Sequence, residues 1–475
     1  MTPLIWNDST AFLSSAVSTI TSGTLQVLHG ANVGYVYFLS RVFSWGGDLL
    51  TVVLLQKIIG AFSIALCAFT VFKLVRNRWF SLPLGVAAVY PGILIHHNLV
   101  LAESLYASAL TMAICTLVLA SGASRGSSER RVASLLLATL TLGLGAALLK
   151  VQGWGPLIVV CLAALFIASR VSMKLVSLCV CAIALVTLGA LAGNQARSAS
   201  NDPTSALFGS KTLFCFHLDI ILQAPSTAAM ARASFAGNAS AFMDKLHADL
   251  GPGQVYPTLG FNADACQFDK SLDAMGIQSQ AGGLKGLVDW YRKAFVNAVV
   301  EFPHRYLAKV ARQLLYGLKM AVPPHGLGET IGSVGERERL AATTLQSAGL
   351  SARGLQAQAA LSAPLLSHFE RSANLGLRLF SLPVSAALVL ALAGLALRRW
   401  RHSRFAVPAA LASLVWWSQI GVIALTHTLD VWRYMVPVVP AAILTLCLVA
   451  ANAFDLWQQG RQGQGRARTP AARPL

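Results

Sequence analysis

Asp8, His96, His97, Glu103, Lys150 and the segment Asp430–Tyr434 are ionisable or polar positions set against long stretches without charge. Carboxylates and imidazoles can take or give protons, and lysine or arginine can hold an anion. A charge near an apolar span costs free energy, so each that persists is a functional candidate. Each also has a plain alternative. Glu103 would favour the first turn of a helix beginning near Leu99, and Asp8 would serve as a simple helix cap. His96 and His97 would be wetted loop residues, Lys150 would snorkel, and Arg433 with Tyr434 would anchor a helix at the interface. No glycine-rich nucleotide motif occurs, so a cytoplasmic nucleotide-driven reaction has no visible site.

The elements that carry these residues are hydrophobic spans. Of 475 residues 55% are apolar and only 12% charged, with a mean hydropathy of +0.60. A soluble domain needs roughly a quarter of its residues charged, so lipid must solvate much of the chain. Nine runs reach the length needed to cross a bilayer: about 50–73, 79–96, 99–121, 132–149, 153–170, 174–194, 378–397, 405–426 and 432–454. The second is interrupted by Pro83, Pro91 and Gly92, breaks that neighbouring helices can accommodate.

The net charge of +18 raises the question of nucleic acid, but its placement answers otherwise. Lys73/Arg76/Arg78, Arg125/Arg130/Arg131, Arg170/Lys174, Arg398/Arg399/Arg401/Arg404 and Arg461/Arg466/Arg468/Arg473 fall on one side when the spans are threaded in order. Basic short loops mark the cytoplasmic side. The polar candidates then lie together on the opposite, extracytoplasmic side, and the basic tail faces anionic lipid. The expected architecture is an all-α polytopic protein of the plasma (inner) membrane. Its organisation is 1–49, an outer first loop with interfacial helices such as Asp8–Thr21 capped by Ser9; 50–194, six spans; 195–377, an extracytoplasmic, mostly helical domain; 378–454, three spans; and 455–475, a basic cytoplasmic tail.

Within the 195–377 domain, Asn201-Asp202-Pro203, Gly251-Pro252-Gly253, Pro323-Pro324 and Gly326–Gly328 read as turns. Helical patterns cover Ser226–Ala236, Ser240–Leu250, Leu284–Phe302 and Pro303–Lys319, and a long polar helix Val334–Ala363. Cys215 and Cys266 share the outer compartment, where a disulfide is permitted. Cys67, Cys115, Cys161, Cys179, Cys181 and Cys447 lie in spans as small buried hydrophobes.

Taken in order, these features resemble the GT-C superfamily of integral membrane glycosyltransferases, in the branch of protein O-mannosyltransferases and the bacterial lipid A aminoarabinose transferase (glycosyltransferase family 39-like). Trp6-Asn7-Asp8-Ser9 is similar to the acidic first outer loop of that branch. Tyr35-Val-Tyr37-Phe38 and Leu54-Leu-Gln56-Lys57 follow, then Tyr90-Pro91, Ala102-Glu103-Ser104, Leu149-Lys150 and Arg433-Tyr434-Met435-Val436-Pro437. The likeness covers roughly the first third and the final span. Asp8 lacks the adjacent second carboxylate of the O-mannosyltransferases, and Trp416-Trp417-Ser418 is not the Trp-Trp-Asp signature of oligosaccharyltransferases.

The resemblance implies transfer of a hexose or pentose from a polyprenyl-phosphate donor to a lipid, glycan or protein acceptor in cell-envelope glycan biosynthesis. It implies Asp8 as base, Glu103 orienting it or holding a divalent cation if one is used, and no other cofactor. Lys150, Arg433 and Tyr434 would hold the donor phosphate, with His96 or His97 assisting. One base and one displacement imply inversion. A polysaccharide polymerase or ligase, drawing on His304, Arg305 and Arg312, is a rival reading, as are a lipid-linked glycan transporter and a scaffold. Parity, with the expectation that Asp8 follows a fixed helix, further implies a tenth helix missing before Met1.

Overall fold

The computed structural model describes all residues except 1, 2, 4, 29–30, 82, 84–90, 125–127, 200–202, 252–255, 270–275, 324–333, 352–363, 398–399, 401–402 and 468–475. The described residues are helical, with one isolated antiparallel bridge, Tyr256 to Phe261. The helices are α1 (Asn7–Ser22), α2 (Val33–Ser44), α3 (Leu49–Val75), α4 (Pro91–His96), α5 (Ala102–Ala123), α6 (Glu129–Leu149), α7 (Trp154–Ser169) and α8 (Met173–Ala199). There follow α9 (Pro203–Cys215), α10 (Pro225–Ser234), α11 (Ala239–Asp249), α12 (Leu284–Glu301), α13 (Pro303–Lys319), α14 (Val334–Gln346), α15 (Pro364–Ala393), α16 (Ala406–Thr426) and α17 (Val439–Ala467). Several helical single turns lie between them.

Eight helices among the described residues are long and apolar enough to cross a membrane: α3, α5, α6, α7, α8, α15, α16 and α17. They coincide with eight of the nine expected runs. The ninth, 79–96, is described only at its two ends; 82 and 84–90 lie outside the described residues, as do the turns expected at 201–202, 252–253, 324 and 326–328. Its described flanks lie at opposite ends of the bundle. Phe80 packs on Phe454 in the later part of α17, whereas the His97 carbonyl accepts from Gln56 near the start of α3.

The spans are apolar on every side because both lipid and neighbouring helices accept apolar atoms. α3 turns Ile58, Phe62, Phe69 and Phe72 outward, whereas α5 is buried almost all round and forms the centre. α3 starts where Asp48 caps it: its carboxylate accepts the Thr51 N–H at 2.9 Å, and the Asp48 N–H donates back to Thr51 Oγ1. It stops at Arg76, which adopts a left-handed φ of 59°.

α1 and α2 form a helical hairpin. Ser15 and Thr19 receive the Leu28 and Gln26 N–H groups at 2.9 Å each, and Phe12 meets Tyr35 edge-on. The α9–α12 region folds around Phe214, Phe235, Phe242, Trp290 and Tyr291. Cys215 and Cys266 are bonded there, with Cα atoms 5.6 Å apart.

Three local expectations are corrected. Ser9 does not cap α1: the cap position is Trp6, and Ser9 is the third helical residue, its hydroxyl receiving the Trp6 N–H at 2.8 Å. The polar helix from Val334 ends at Gln346, where Gly349 turns the chain with φ 68°; the rest of its expected length lies largely outside the described residues. Cys181 faces outward and Cys161 is half-buried, so neither is a core hydrophobe.

Candidate active site

One end of the bundle gathers the chemistry-bearing side chains. Glu103 stands in the first turn of α5, after Leu101 leaves the helix in an extended conformation. Lys150 stands just past the end of α6, also extended, with its N–H closing on the Ala146 carbonyl. The two elements run antiparallel, so their ends meet, and Lys150 Nζ lies 2.5 Å from Glu103 Oε1 with both side chains buried. Gly153 makes the turn after Lys150 possible: a Cβ there would lie 2.9 Å from the Ala146 carbonyl oxygen. Burial lowers the Lys150 pKa, and the Glu103 carboxylate opposes that shift.

Asp8, in the first turn of α1, is reached from the far end of the sequence. Its Oδ2 lies 3.1 Å from Arg433 Nη1. This is an ion pair by distance but not by hydrogen-bond alignment, and Nη1 makes no aligned hydrogen bond. Tyr434 joins the two pairs. Lys150 Nζ lies 4.8 Å from its ring centroid, the Arg433 guanidinium carbon lies 5.2 Å from it, and Arg433 Nη2 donates to its hydroxyl at 3.4 Å. Burial would lower the Arg433 pKa, but Tyr434, Asp8 and Glu103 raise it overall, so the guanidinium stays charged. Asp8, Glu103, Lys150, Arg433 and Tyr434 thus form one connected cluster.

His96 and His97 are buried, not wetted. His97 Nδ1 shares a 2.6 Å hydrogen bond with Ser104 Oγ, one residue beyond Glu103. Its ring presses on Gly60 of α3, where a Cβ would fall 2.2 Å from Nε2. Burial, then the charges of His96 and Lys57, push the His97 pKa down to about 4. Gln56 fixes the same loop, donating to the carbonyls of His97 and Leu99 while accepting from Tyr35 at 2.7 Å. His96 lies within electrostatic reach of Glu103. Asp430 turns away from the cluster: it accepts from Thr428 at 2.8 Å and from the Thr258 N–H at 3.2 Å.

The Arg433 segment is held by an element that the pattern of spans does not announce. α13 does it with a polar face. Gln313 accepts the Leu429 N–H at 2.6 Å and donates to Thr428 Oγ1 at 3.0 Å. Lys309 donates to the carbonyls of Ala424 and His427 at 3.0 and 2.6 Å, and lies 3.1 Å from His217 Nε2. Burial keeps His217 neutral by lowering its pKa, and its Nδ1 lies 2.7 Å from the Leu213 carbonyl, so Nδ1 carries the proton and Nε2 accepts. Three acceptors therefore meet the three hydrogens of an ammonium group. Next to the disulfide, Phe216 packs on His427 with centroids 3.7 Å apart, and His427 meets Tyr434 edge-on at 5.0 Å. A lysine four residues before a glutamine is the one signal that could have found this clamp.

Among the described residues no three His, Cys, Asp or Glu side chains gather to hold a metal ion. The cluster offers a half-exposed carboxylate beside a guanidinium with spare donors. That pairing can accept a proton and hold an anion within one site.

No protein-family model matches the chain, and no curated protein matches it. Among solved structures, that of ArnT from Cupriavidus metallidurans in the apo state aligns with 94% of this chain and 74% of its own. The two share 12% sequence identity with a TM-score of 0.35, a likeness too loose to carry function.

Proposed function

We propose that this chain is an integral membrane glycosyltransferase that moves a sugar from a polyprenyl-phosphate donor to a hydroxyl of a lipid, glycan or protein acceptor. The observation that carries this reading is the single cluster in which Asp8 meets Arg433 and Glu103 meets Lys150 through Tyr434. Asp8 takes the proton of the acceptor hydroxyl as its oxygen attacks the anomeric carbon. The bond from that carbon to the phosphate oxygen breaks, and the electron pair leaves on the phosphate. Arg433 and Lys150 offset the charge that grows there. A single displacement inverts the anomeric centre. Glu103, paired with Lys150 through one carboxylate oxygen, orients the cations. By the distribution of basic loops the cluster faces the extracytoplasmic side of the plasma membrane, where nucleotide sugars are absent. Arg305 and Arg312, which a polymerase or ligase reading would use, lie on a separate cavity.

The test is purified protein supplied with polyprenyl-phosphate sugars or with nucleotide sugars, and with hydroxyl acceptors. Transfer from the lipid donors alone, with inversion, is expected. Turnover of nucleotide sugars, or no binding of any polyprenyl-phosphate sugar by thermally intact protein, would remove this reading.

A further inference from the structure

α13 has its polar side inward. Lys309, Gln313 and Gly317 are buried, while Leu307, Ala311 and Leu315, on the opposite side at four-residue spacing, are exposed, the two leucines at 62% and 66%. On α12, Val296 and Val300 are exposed as well. In water this arrangement would be inverted. The helix lies against membrane spans. Lys309 and Tyr306 bond to carbonyls at the end of α16, and Gly317 sits against Ile420, six residues and about 9 Å further in. On the other flank, Ser385 and Ser381 of the α15 span donate to the Leu318 and Lys319 carbonyls. The exposed leucines thus continue the outward apolar surface of α15, where Leu379 and Leu382 are similarly exposed.

Between the inward and outward faces, Arg305, Ala308 and Arg312 line an open surface cavity together with Asp219, Ile220 and Gln223. Arg305 and Arg312 lie at the level of the α16 terminus, set by Tyr306 on Leu425 and Gln313 on Leu429. Leu315 is one turn deeper. Guanidinium groups at the end of a span with leucines below them match a phosphate headgroup above its acyl chains. Asp219 is the one carboxylate lining the cavity; its Oδ1 is buried without a hydrogen-bond partner. Burial raises its pKa, and the charges of Arg312 and Lys309 oppose that shift.

We propose that the second half of α13 is inserted in the outer leaflet and that the Arg305–Arg312 cavity binds the headgroup of an anionic phospholipid of the surrounding bilayer. The site is independent of the transfer reaction, so the two stand or fall separately.

The experiment uses full-length protein in nanodiscs of phosphatidylcholine containing phosphatidylglycerol. A benzophenone amino acid at Leu315 should crosslink to lipid, and one at exposed Asp289 on α12 should not. In native mass spectrometry the Arg305→Gln/Arg312→Gln protein should retain phosphatidylglycerol less well by on the order of tenfold or more. Phosphatidylcholine retention should not change, and the double lysine variant should keep most of the selectivity. No lipid adduct at Leu315, or equal adducts at Asp289, overturns the insertion. Unchanged phosphatidylglycerol retention in the double glutamine variant overturns the site, and displacement by inorganic phosphate would make it a pocket for soluble anions instead. Should the glutamine variant fail to fold, the Leu315 arm and the phosphate competition still decide.

Discussion

The two ion pairs of the cluster share a tyrosine but live in different solvents. The Glu103 and Lys150 side chains are 3% and 10% exposed, and those of Asp8 and Arg433 are 49% and 20% exposed. A buried pair is held by mutual attraction that must offset two desolvations, so removing one partner is costly. A half-open pair contributes little to stability, but its groups remain reachable by a substrate. The first pair holds the cluster together, and under the proposed function the second would do its chemistry.

Breaking the buried pair is the strongest test of that contrast. Glu103→Gln leaves Lys150 charged and unpaired and should cost about 3–5 kcal/mol, read as a large fall in melting temperature in detergent. Adding Lys150→Met should recover part of it. Wild-type melting of the single variant would show the pair to be dispensable.

His97 extends the same buried side. Its pKa falls from the usual 6.5 to about 4 in the folded protein, so between those values the unfolded chain binds more protons. Its contribution is complete above pH 6.5 and is lost as pH drops toward 4, amounting to about 3 kcal/mol. His97→Gln should flatten that part of the stability–pH curve. An unchanged acid slope would place the titrating group elsewhere.

On the open side the expectation reverses. Asp8→Asn should shift stability by no more than about 0.5 kcal/mol while cutting sugar transfer at least about a hundredfold. Near-normal transfer would take the base assignment away from Asp8. Arg433→Lys keeps charge but loses the planar fork, so donor affinity should fall by about tenfold with folding intact. If titration with a polyprenyl-phosphate sugar finds equal affinity, Arg433 is an anchor and not a ligand.

The positions in this cluster were visible before any fold was known, because charges are rare in these spans. Their pairing was not visible. Asp8 and Arg433 stand at opposite ends of the chain, and no periodicity links them. The burial of His97 was not legible either, because nothing local shows that Gly60 leaves room for its imidazole. Asp430, three residues from Arg433, looked like part of the same group and is turned toward Thr258 and Thr428 instead.

Composition and hydropathy by themselves determined that the chain is helical and crosses a membrane, since a bilayer demands long uncharged runs that satisfy their own backbone hydrogen bonds. The arrangement of basic loops likewise fixed which ends belong together. Only the tertiary structure decided which charge meets which, and which face of α13 is inside. A helix with alternating polar and apolar stripes is normally expected to bury the apolar one. Here Lys309 and Gln313 go inward because the end of α16 leaves carbonyls and an N–H that need partners, and the leucines are left outward, an exposure that the proposed insertion in lipid would make inexpensive.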